Sequence, residues 1–404
     1  MSKFAFRFRK NAKMLKIDGF KSLTGINTPF YFYDMDLLTR TLDSLQSLSS
    51  IYGVKVHYAV KANSEDRILN KISSYGFGAD AVSANEAVRA VECGFDASDV
   101  MFAGVGKTDR EIRTVLELGI GCLNVESIPE LDAIEAMAAS MGIVAPVALR
   151  INPDIDPHTH KYITTGLEEN KFGLSRDDVA PAVEKLKSCC HLQLKGIQFH
   201  IGSQITDVRN VFELESKCAR EIVDSFESTG IKVEHVDFGG GLGVDYNDPD
   251  GSALPEFETW LKALKLFFPS GCGYDLHIEP GRSLVAQCGS LITSVVFVKE
   301  SKTKTFVITD AGMNDLIRPA LYGAYHKVEN LSAHYLRNDD SAGLRYDVVG
   351  PVCESSDVWG EGRMLPECRR GDLLAIRTAG AYGQTMASRY NLRDLAAAVY
   401  SDEI

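Results

Sequence analysis

The chain has 404 residues, of which 45% are hydrophobic, so it can bury a large core. Its length predicts two domains, or one large barrel with an appended domain. The formal net charge of −12, with dispersed basic residues, argues against nucleic acid or an anionic membrane as a partner. No stretch is apolar over enough residues to span a bilayer, and the basic first residues lack the apolar segment of a secretory signal. We therefore expect a cytoplasmic enzyme that acts on a small molecule.

Short apolar runs alternate with amphipathic segments over the first two thirds of the chain. The predicted strands are 56–63, 79–83, 100–104, 122–127, 146–153, 194–202, 233–241 and 274–284. Helical periodicity falls on 85–93, 109–118, 129–141, 177–187 and 211–228. Eight strands in such an alternation predict an α/β fold, namely a (β/α)8 TIM barrel over residues 28–285.

The pattern changes after residue 285. Strands are predicted at 291–299, 305–309, 346–349 and 373–377, with few long helices between them. These segments predict a second, mainly antiparallel β domain of the Greek-key or β-barrel type. Residues 1–27 show strand-like alternation, so we assign them to the same domain as residues 286–404.

Nine cysteines, an odd number, with no Cys-x-x-Cys spacing argue against both a disulfide framework and a zinc ribbon. His158 and His160, near Asp154 and Asp156, could belong to a metal site. A loop rich in Asp, Pro and His is more often a polar turn, so no metal is assigned.

Polar residues and glycines collect where the predicted barrel strands end, which is where barrel enzymes carry their active sites. They are Lys61, Asn63, Asp80, Ser83, Arg150, Asn152, His200, Gly202, Ser203, Asp237, Gly239, Gly240, Gly241, Glu279, Gly281 and Arg282. Lys61 ends a period-two stretch, at a place where a desolvated amine could form a Schiff base. A lone lysine at such a position is more often salt-bridged or snorkelling.

A glycine-rich run, Gly239-Gly240-Gly241-Leu242-Gly243, follows the seventh predicted strand. Glycines let backbone N–H groups approach an anion closely, and a phosphate site at this place is common in TIM barrels. The run fits neither a dinucleotide-binding fingerprint, which opens a helix early in a chain, nor a Walker loop. A Schiff-base lysine, a phosphate cradle and Glu279 together suggest pyridoxal 5'-phosphate.

Ordered motifs along nearly the whole chain resemble the barrel-type pyridoxal-phosphate decarboxylases of the alanine-racemase fold, and within them the diaminopimelate decarboxylases. The motifs are YAVKAN (58–63), HIGSQ (200–204), DFGGG (237–241), EPGR (279–282), DAGMND (310–315), RPALY (318–322), GPVCES (350–355) and GAYG (380–383). So many matches in the same order do not arise by chance.

The resemblance implies a role for each cofactor residue. Lys61 would hold the cofactor as a Schiff base, and His200 would stack on its ring. Glu279 would meet the pyridine nitrogen and keep it protonated, which makes the ring a strong electron sink. The phosphate and the remaining contacts would fall to Ser203, Gly240, Pro280, Gly281, Arg282 and Tyr382. By their types alone, His200 could equally be a core histidine and Glu279 an ion-pair partner of Arg282.

The second half of the chain would supply the proton donor and the substrate contacts. By resemblance, Cys353 protonates the carbon that loses the carboxylate, and it acts from the partner subunit, so a homodimer with a shared active site is expected. Residues 162–166 and 170–173 resemble the mobile lid of the family.

The predicted substrate contacts are Arg282, Arg318, Tyr322, Glu354 and Tyr382. The two guanidinium groups suit a distal carboxylate, and Glu354 suits a distal ammonium. Both groups are present in meso-2,6-diaminopimelate, whose decarboxylation gives L-lysine in the last step of lysine biosynthesis. Ornithine, arginine and carboxynorspermidine are the alternative substrates.

Two hypotheses lie outside decarboxylation. A pyridoxal-phosphate carrier would lack the second domain and the Cys353 motif. A regulatory subunit that has lost its chemistry would lack Lys61 or Cys353. The sequence contains all of these features, so both hypotheses are less favoured.

Overall fold

A computed structural model of the chain describes residues 17–155, 171–341 and 343–404. Its contacts divide the chain into two units, which are described separately. The barrel unit comprises residues 42–243 and 256–281, and the β unit comprises the described part of 1–41 together with 244–255 and 282–404. The domain boundaries at 28 and 285 stay a prediction.

The described strands and helices are numbered in chain order. The strands are β1 (Phe30–Tyr33), β2 (Val54–Ala59), β3 (Gly78–Ala81), β4 (Val100–Phe102), β5 (Cys122–Val125), β6 (Ala145–Arg150), β7 (Leu192–Gln198), β8 (His235–Asp237), β9 (Asp275–Ile278), β10 (Gly289–Glu300), β11 (Thr305–Thr309), β12 (Val328–Asn330), β13 (Leu344–Val349), β14 (Val358–Leu365), β15 (Leu373–Ile376) and β16 (Ala397–Tyr400). The helices are α1 (Ile17–Leu23), α2 (Met35–Tyr52), α3 (Asp66–Ser73), α4 (Ala84–Glu92), α5 (Asp109–Leu118), α6 (Ile128–Met141), α7 (Val179–Ser188), α8 (Val208–Ser228), α9 (Phe257–Leu264), α10 (Arg282–Val285), α11 (Arg318–Tyr322) and α12 (Leu331–Arg337).

Strands β2 to β9 form a closed parallel barrel in chain order, with β9 paired back to β2. This confirms the predicted (β/α)8 barrel. All eight predicted strands exist, but each was predicted to continue past its observed end into the turn that follows it. Strand β2, the first of the barrel, ends at Ala59. Residues Val60–Ala62 then form a 3-10 turn in which the Val60 carbonyl accepts a hydrogen bond from the Asn63 amide.

Capping residues set several helix ends in the barrel unit. Thr108 and Glu111 form a reciprocal capping box at the start of α5, and Gly119 ends the helix in the left-handed conformation. The bounds predicted for α5 are confirmed, whereas α2, α3 and α9 were not predicted.

The β unit is a mixed and mainly antiparallel sheet with the strand path β12-β15-β10-β11-β13-β14, and β1 pairs with both β10 and β16. The long strand β10 is its centre, because it pairs with β1, β11 and β15. The predicted mainly antiparallel character is confirmed. Strands β1, β12, β14 and β16 were missed because they are short or interrupted by glycine and charged residues.

One core of the β unit brings both ends of its sequence together. Phe20 and Leu23 from α1 pack with Phe30, Ile292 and Leu331. The strand-like pattern predicted before residue 28 is wrong for residues 17–23, which are helical. The rest of that segment, 1–16, lies outside the described residues. Within the described ranges, no helix combines the length and apolar character needed to cross a bilayer.

Candidate active site

A cavity of about 430 Å³ opens among the strand ends of the barrel unit. Its lining contains Lys61, Asp80, Arg150, Gln198, His200 and Glu279, together with residues 102–107 and Phe172. Five of these six polar side chains were predicted as strand-end residues. The exception is Gln198, which lies two residues before His200 and therefore shares its side of the strand.

Lys61 reaches the cavity from the turn after β2. Its Nζ lies 2.7 Å from Oδ2 of Asp80, whose side chain is fully buried, whereas about a third of the lysine side chain is exposed. The salt-bridged lysine that its type alone suggested is therefore present. An ion pair open to a cavity also leaves the amine within reach of a ligand.

Glu279, directly after β9, is buried beside other carboxylates. Gln198 Nε2 donates a hydrogen bond of 3.0 Å to Glu279 Oε2, while Glu279 Oε1 has no hydrogen-bond partner among the described residues. Burial, followed by the negative charges of Asp237 and Asp80, raises the pKa of Glu279 well above its ordinary value. Burial likewise raises the pKa of Asp237, which accepts a hydrogen bond from the Gly239 amide. Buried carboxyl groups therefore lie close together at these strand ends, and their raised pKa values favour the protonated forms.

His200 is oriented by the glycine run. The Gly240 amide donates to His200 Nδ1 at 3.2 Å, so this nitrogen carries no proton. Burial, followed by the positive charges of Arg150 and Lys61, lowers the pKa of His200 well below its ordinary value. The imidazole is therefore neutral and presents an uncharged ring.

Glycine is required at two places near the cavity. A Cβ on Gly240 would lie 2.4 Å from the Glu279 carbonyl oxygen, and Gly239 has a φ of +64° with the Phe199 carbonyl 2.3 Å from any Cβ. Side chains at these positions would force apart the strand ends that carry His200 and Glu279. Pro280 meanwhile accepts a hydrogen bond from the Ala59 amide, which ties the EPGR motif to β2.

Arg150 is held by a buried network that sequence reasoning missed. Its Nη1 donates to Glu126 Oε1 at 2.9 Å, and Glu126 Oε2 accepts from the Gly173 amide. Lys107, whose side chain is 1% exposed, pairs with Glu130 at 2.6 Å. Because Arg150 has its own carboxylate, it does not balance Glu279 fully. The Gly-Val-Gly-Lys run at 104–107 was the available signal.

In the β unit, three other predicted residues, Arg282, Arg318 and Tyr382, belong to one cluster. Arg282 Nη1 donates to the Tyr246 hydroxyl at 2.6 Å, and the Arg282 guanidinium lies 4.9 Å from the centre of the Tyr382 ring. Arg318 lies 4.7 Å from the Tyr246 ring and donates to His326 Nε2 at 2.8 Å. Tyr246 and His326 were missed, because neither falls within a recognised motif.

The remaining predicted residues are placed as follows. Cys353 and Glu354 are exposed, with the Asn391 amide donating to the Cys353 sulfur at 3.4 Å and the Tyr390 hydroxyl to Glu354 at 2.7 Å. Tyr322 ends α11, one turn after Arg318. Ser203 is half-buried in the loop after β7.

Part of the predicted lid and the His158 region cannot be placed, since residues 156–170 lie outside the described residues. Of the described part, Phe172 lines the barrel cavity and packs 4.9 Å from the Arg150 guanidinium. Among the described residues, no group of three or more His, Cys, Asp or Glu side chains is arranged to hold a metal ion.

Comparison with known families identifies the family to which the chain belongs. Residues 37–286 match the family model described as pyridoxal-dependent decarboxylase, pyridoxal binding domain. The chain belongs to the pyridoxal-dependent decarboxylases. As a decarboxylase of this family, it uses pyridoxal phosphate as its cofactor.

Relatives of this decarboxylase cover almost its full length. It is 47% identical to the diaminopimelate decarboxylase of Bacteroides thetaiotaomicron over 96% of this chain and 98% of that protein. The solved diaminopimelate decarboxylase of Helicobacter pylori, complexed with L-lysine, has a TM-score of 0.85 at 39% identity and covers 94% of this chain and 93% of that one. The enzyme of M. jannaschii, also complexed with L-lysine, has a TM-score of 0.86 at 34% identity, with 94% and 88% covered.

The residues of the barrel cavity fit this cofactor. The buried, unpartnered Oε1 of Glu279 is the acceptor that a protonated pyridine nitrogen requires. Lys61 supplies an amine at the cavity surface, and the neutral His200 offers a ring against which another ring can stack.

Proposed function

We propose that this chain is a diaminopimelate decarboxylase, which releases carbon dioxide from meso-2,6-diaminopimelate and forms L-lysine, the last step of lysine biosynthesis. Relatives of this name cover nearly the whole chain at up to 47% identity. The observation that carries the substrate choice is Arg318, which is buried beside Arg282 and has no carboxylate within 4.0 Å among the described residues. A distal substrate carboxylate would balance this charge.

The cofactor chemistry is assigned to the barrel cavity. Bound pyridoxal phosphate supplies an electron sink for the pair left at Cα when the carboxylate departs. Lys61 would hold the cofactor through its Nζ, which lies 2.7 Å from Asp80. Glu279, bound by Gln198, would keep the pyridine nitrogen protonated, and the neutral His200 would offer a ring for stacking. Ser203, Gly240, Gly281 and Arg282 would hold the phosphate.

The β unit is assigned the recognition of the substrate. Arg282 and Arg318 bind the distal carboxylate with the help of Tyr322, and Glu354 binds the distal ammonium. Tyr382 would contact the cofactor and the substrate. These contacts would favour meso-diaminopimelate over ornithine and over lysine as substrates, since neither has a carboxylate at its far end.

Cys353 is assigned the proton that quenches the Cα carbanion. The residue is exposed, and this exposure supports a site completed by a second copy of the chain, so we propose a cytoplasmic homodimer in which each copy lends Cys353 and Glu354 to the other. The Asn391 amide fixes the direction of the sulfur.

The substrate assignment is tested by carbon dioxide release from purified protein with pyridoxal phosphate. Meso-diaminopimelate, ornithine, arginine, lysine and carboxynorspermidine are offered separately. We expect release from meso-diaminopimelate alone, with L-lysine as the product. Release from a polyamine precursor instead would overturn the substrate assignment, and release from none would favour a regulatory protein.

The shared site is tested with two inactive variants. Cys353→Ala should keep the visible absorbance of the bound cofactor but lose turnover by about 10²-fold or more, because it lacks the proton donor. Lys61→Ala lacks the lysine that binds the cofactor. Mixing the two variants should restore activity, because a mixed dimer contains one site with both residues. If the mixture stays inactive, Cys353 does not act across a dimer.

A further inference from the structure

The β unit contains two buried arginines whose surroundings differ. Arg377 donates to Glu329 at 2.6 Å and to Asp250 at 2.8 Å, so its charge is balanced. Arg318 is 5% exposed, and among the described residues it contacts the His326 nitrogen and Tyr246 but no carboxylate within 4.0 Å. A buried guanidinium that touches only neutral groups retains its attraction for an anionic ligand.

The protonation of His326 follows from its two contacts. Its Nδ1 lies 2.8 Å from the Arg377 backbone carbonyl oxygen, which can only accept, so Nδ1 carries the proton. Its Nε2 is then free to accept from Arg318, which can only donate. Burial, and then the charge of Arg318, lowers the pKa of His326 to about 3, in agreement with a neutral ring. His326 therefore orients Arg318 without cancelling its charge.

The residue that orients His326 is itself held by ion pairs. The carbonyl oxygen that accepts the hydrogen bond from His326 Nδ1 belongs to Arg377, whose side chain is bound by Asp250 and Glu329. Tyr246 lies in the same short segment as Asp250, residues 244–255. Its hydroxyl accepts from Arg282, its ring faces Arg318, and its ring also packs edge-on against His326 at 5.1 Å. One tyrosine thus contacts both arginines.

We infer that His326 and Tyr246 are positioning residues that hold Arg318 and Arg282 in the arrangement that selects a substrate with a distal carboxylate. The inference rests on the proposed function and deepens it. Neutral partners are essential to this arrangement, because a carboxylate in place of either would neutralise an arginine and compete with the substrate.

The test separates carboxylate recognition from general binding. The product L-lysine retains the distal carboxylate and amine of the substrate, whereas cadaverine is L-lysine without its carboxylate. His326→Phe keeps an aromatic ring beside Tyr246 but removes both hydrogen bonds. We expect the KM for meso-diaminopimelate and the Kd for L-lysine to rise about 10-fold or more, since a hydrogen bond to a charged group is lost. The Kd for cadaverine and the cofactor absorbance should not change, and kcat should be largely retained.

A second variant and a matched control accompany this measurement. Tyr246→Phe keeps the ring over Arg318 and removes the acceptor for Arg282, so we expect a smaller rise in the same two quantities. If His326→Phe does not fold, Tyr246→Phe alone tests whether these residues position the arginines. His334→Phe changes a partly exposed histidine on α12, and it should behave as the wild-type protein.

Two results would overturn the inference. If neither His326→Phe nor Tyr246→Phe changes the KM or the affinity for L-lysine, the two residues do not position the arginines. If L-lysine and cadaverine lose affinity equally, the residues support the site in general and not its carboxylate selection. A wild-type protein that neither releases carbon dioxide from meso-diaminopimelate nor binds L-lysine would overturn the proposed function, and the inference with it.

Discussion

The strand ends of the barrel unit and the arginine cluster of the β unit bury opposite kinds of ionisable group, carboxyl groups in the first and guanidinium groups in the second. In the barrel, Asp80, Asp237 and Glu279 are buried with one lysine, because Arg150 already has Glu126. In the β unit, Arg282 and Arg318 are buried beside a tyrosine and a neutral histidine. Charging a buried group costs free energy, and a ligand of opposite charge offsets that cost, so the two regions suit ligands of opposite sign. The barrel fits a protonated pyridine ring, and the arginines fit a carboxylate.

The largest effect in this comparison is expected from Lys61→Ala. The variant lacks the amine for the covalent bond, so carbon dioxide release should fall on the order of 10³-fold or more, and borohydride should no longer trap the cofactor. Lys55→Ala is the matched control, since Lys55 makes only an exposed ion pair with Asp275. A visible Schiff-base absorbance that survives in Lys61→Ala would show that another lysine holds the cofactor.

Glu279→Gln tests the buried carboxyl groups of the barrel unit. The amide has nearly the same shape but cannot hold a proton on the pyridine nitrogen, so kcat should fall about 10²-fold. The melting temperature should not fall, because the variant removes a buried carboxylate whose pKa burial already raises. Unchanged kcat would mean that Glu279 serves the fold only.

Arg318→Met tests the arginine cluster of the β unit. We expect the KM for meso-diaminopimelate to rise about 10-fold to 100-fold with a smaller change in kcat, since a charged contact to the substrate is lost. Stability should be unchanged or higher, because the variant removes an unbalanced buried charge. Arg377→Met should do the reverse and lower the free energy of unfolding by about 1–3 kcal/mol, since Glu329 and Asp250 lose the buried guanidinium and retain Lys327. A loss of stability in Arg318→Met instead would show that this arginine is structural.

The smallest effect is the pH dependence of the protein without cofactor. Burial raises the pKa of Asp237 above its ordinary value, so its folded form binds more protons than the unfolded chain, and its contribution to stability is lost as the pH rises. Asp237→Asn cannot lose a proton and should therefore gain melting temperature relative to wild type at pH 8 but much less at pH 5. An equal difference at both pH values would argue against a buried proton on Asp237.

Residue patterns identified the cavity but not its supporting contacts. Lys61, Asp80, Arg150, His200 and Glu279 were all predicted at strand ends, because a parallel barrel brings those ends to one face. Gln198 ends β7 and Glu126 follows β5. Their side chains bind residues at the ends of other strands, Glu279 after β9 and Arg150 at the end of β6. The pairing of Gln198 with Glu279 spans 81 positions of the chain. No local pattern encodes a contact of that separation.

The sequence by itself determined the barrel, the mainly antiparallel β unit and the motif residues, because hydrophobic periodicity and strand-end chemistry are local properties of the chain. Only the tertiary structure decided the charge balance. Within the described ranges, Arg377 is paired with carboxylates and Arg318 is not, and Tyr246, from a loop after β8, contacts both Arg282 and Arg318. The cost of a buried charge depends on every group around it, and those groups come from distant parts of the sequence.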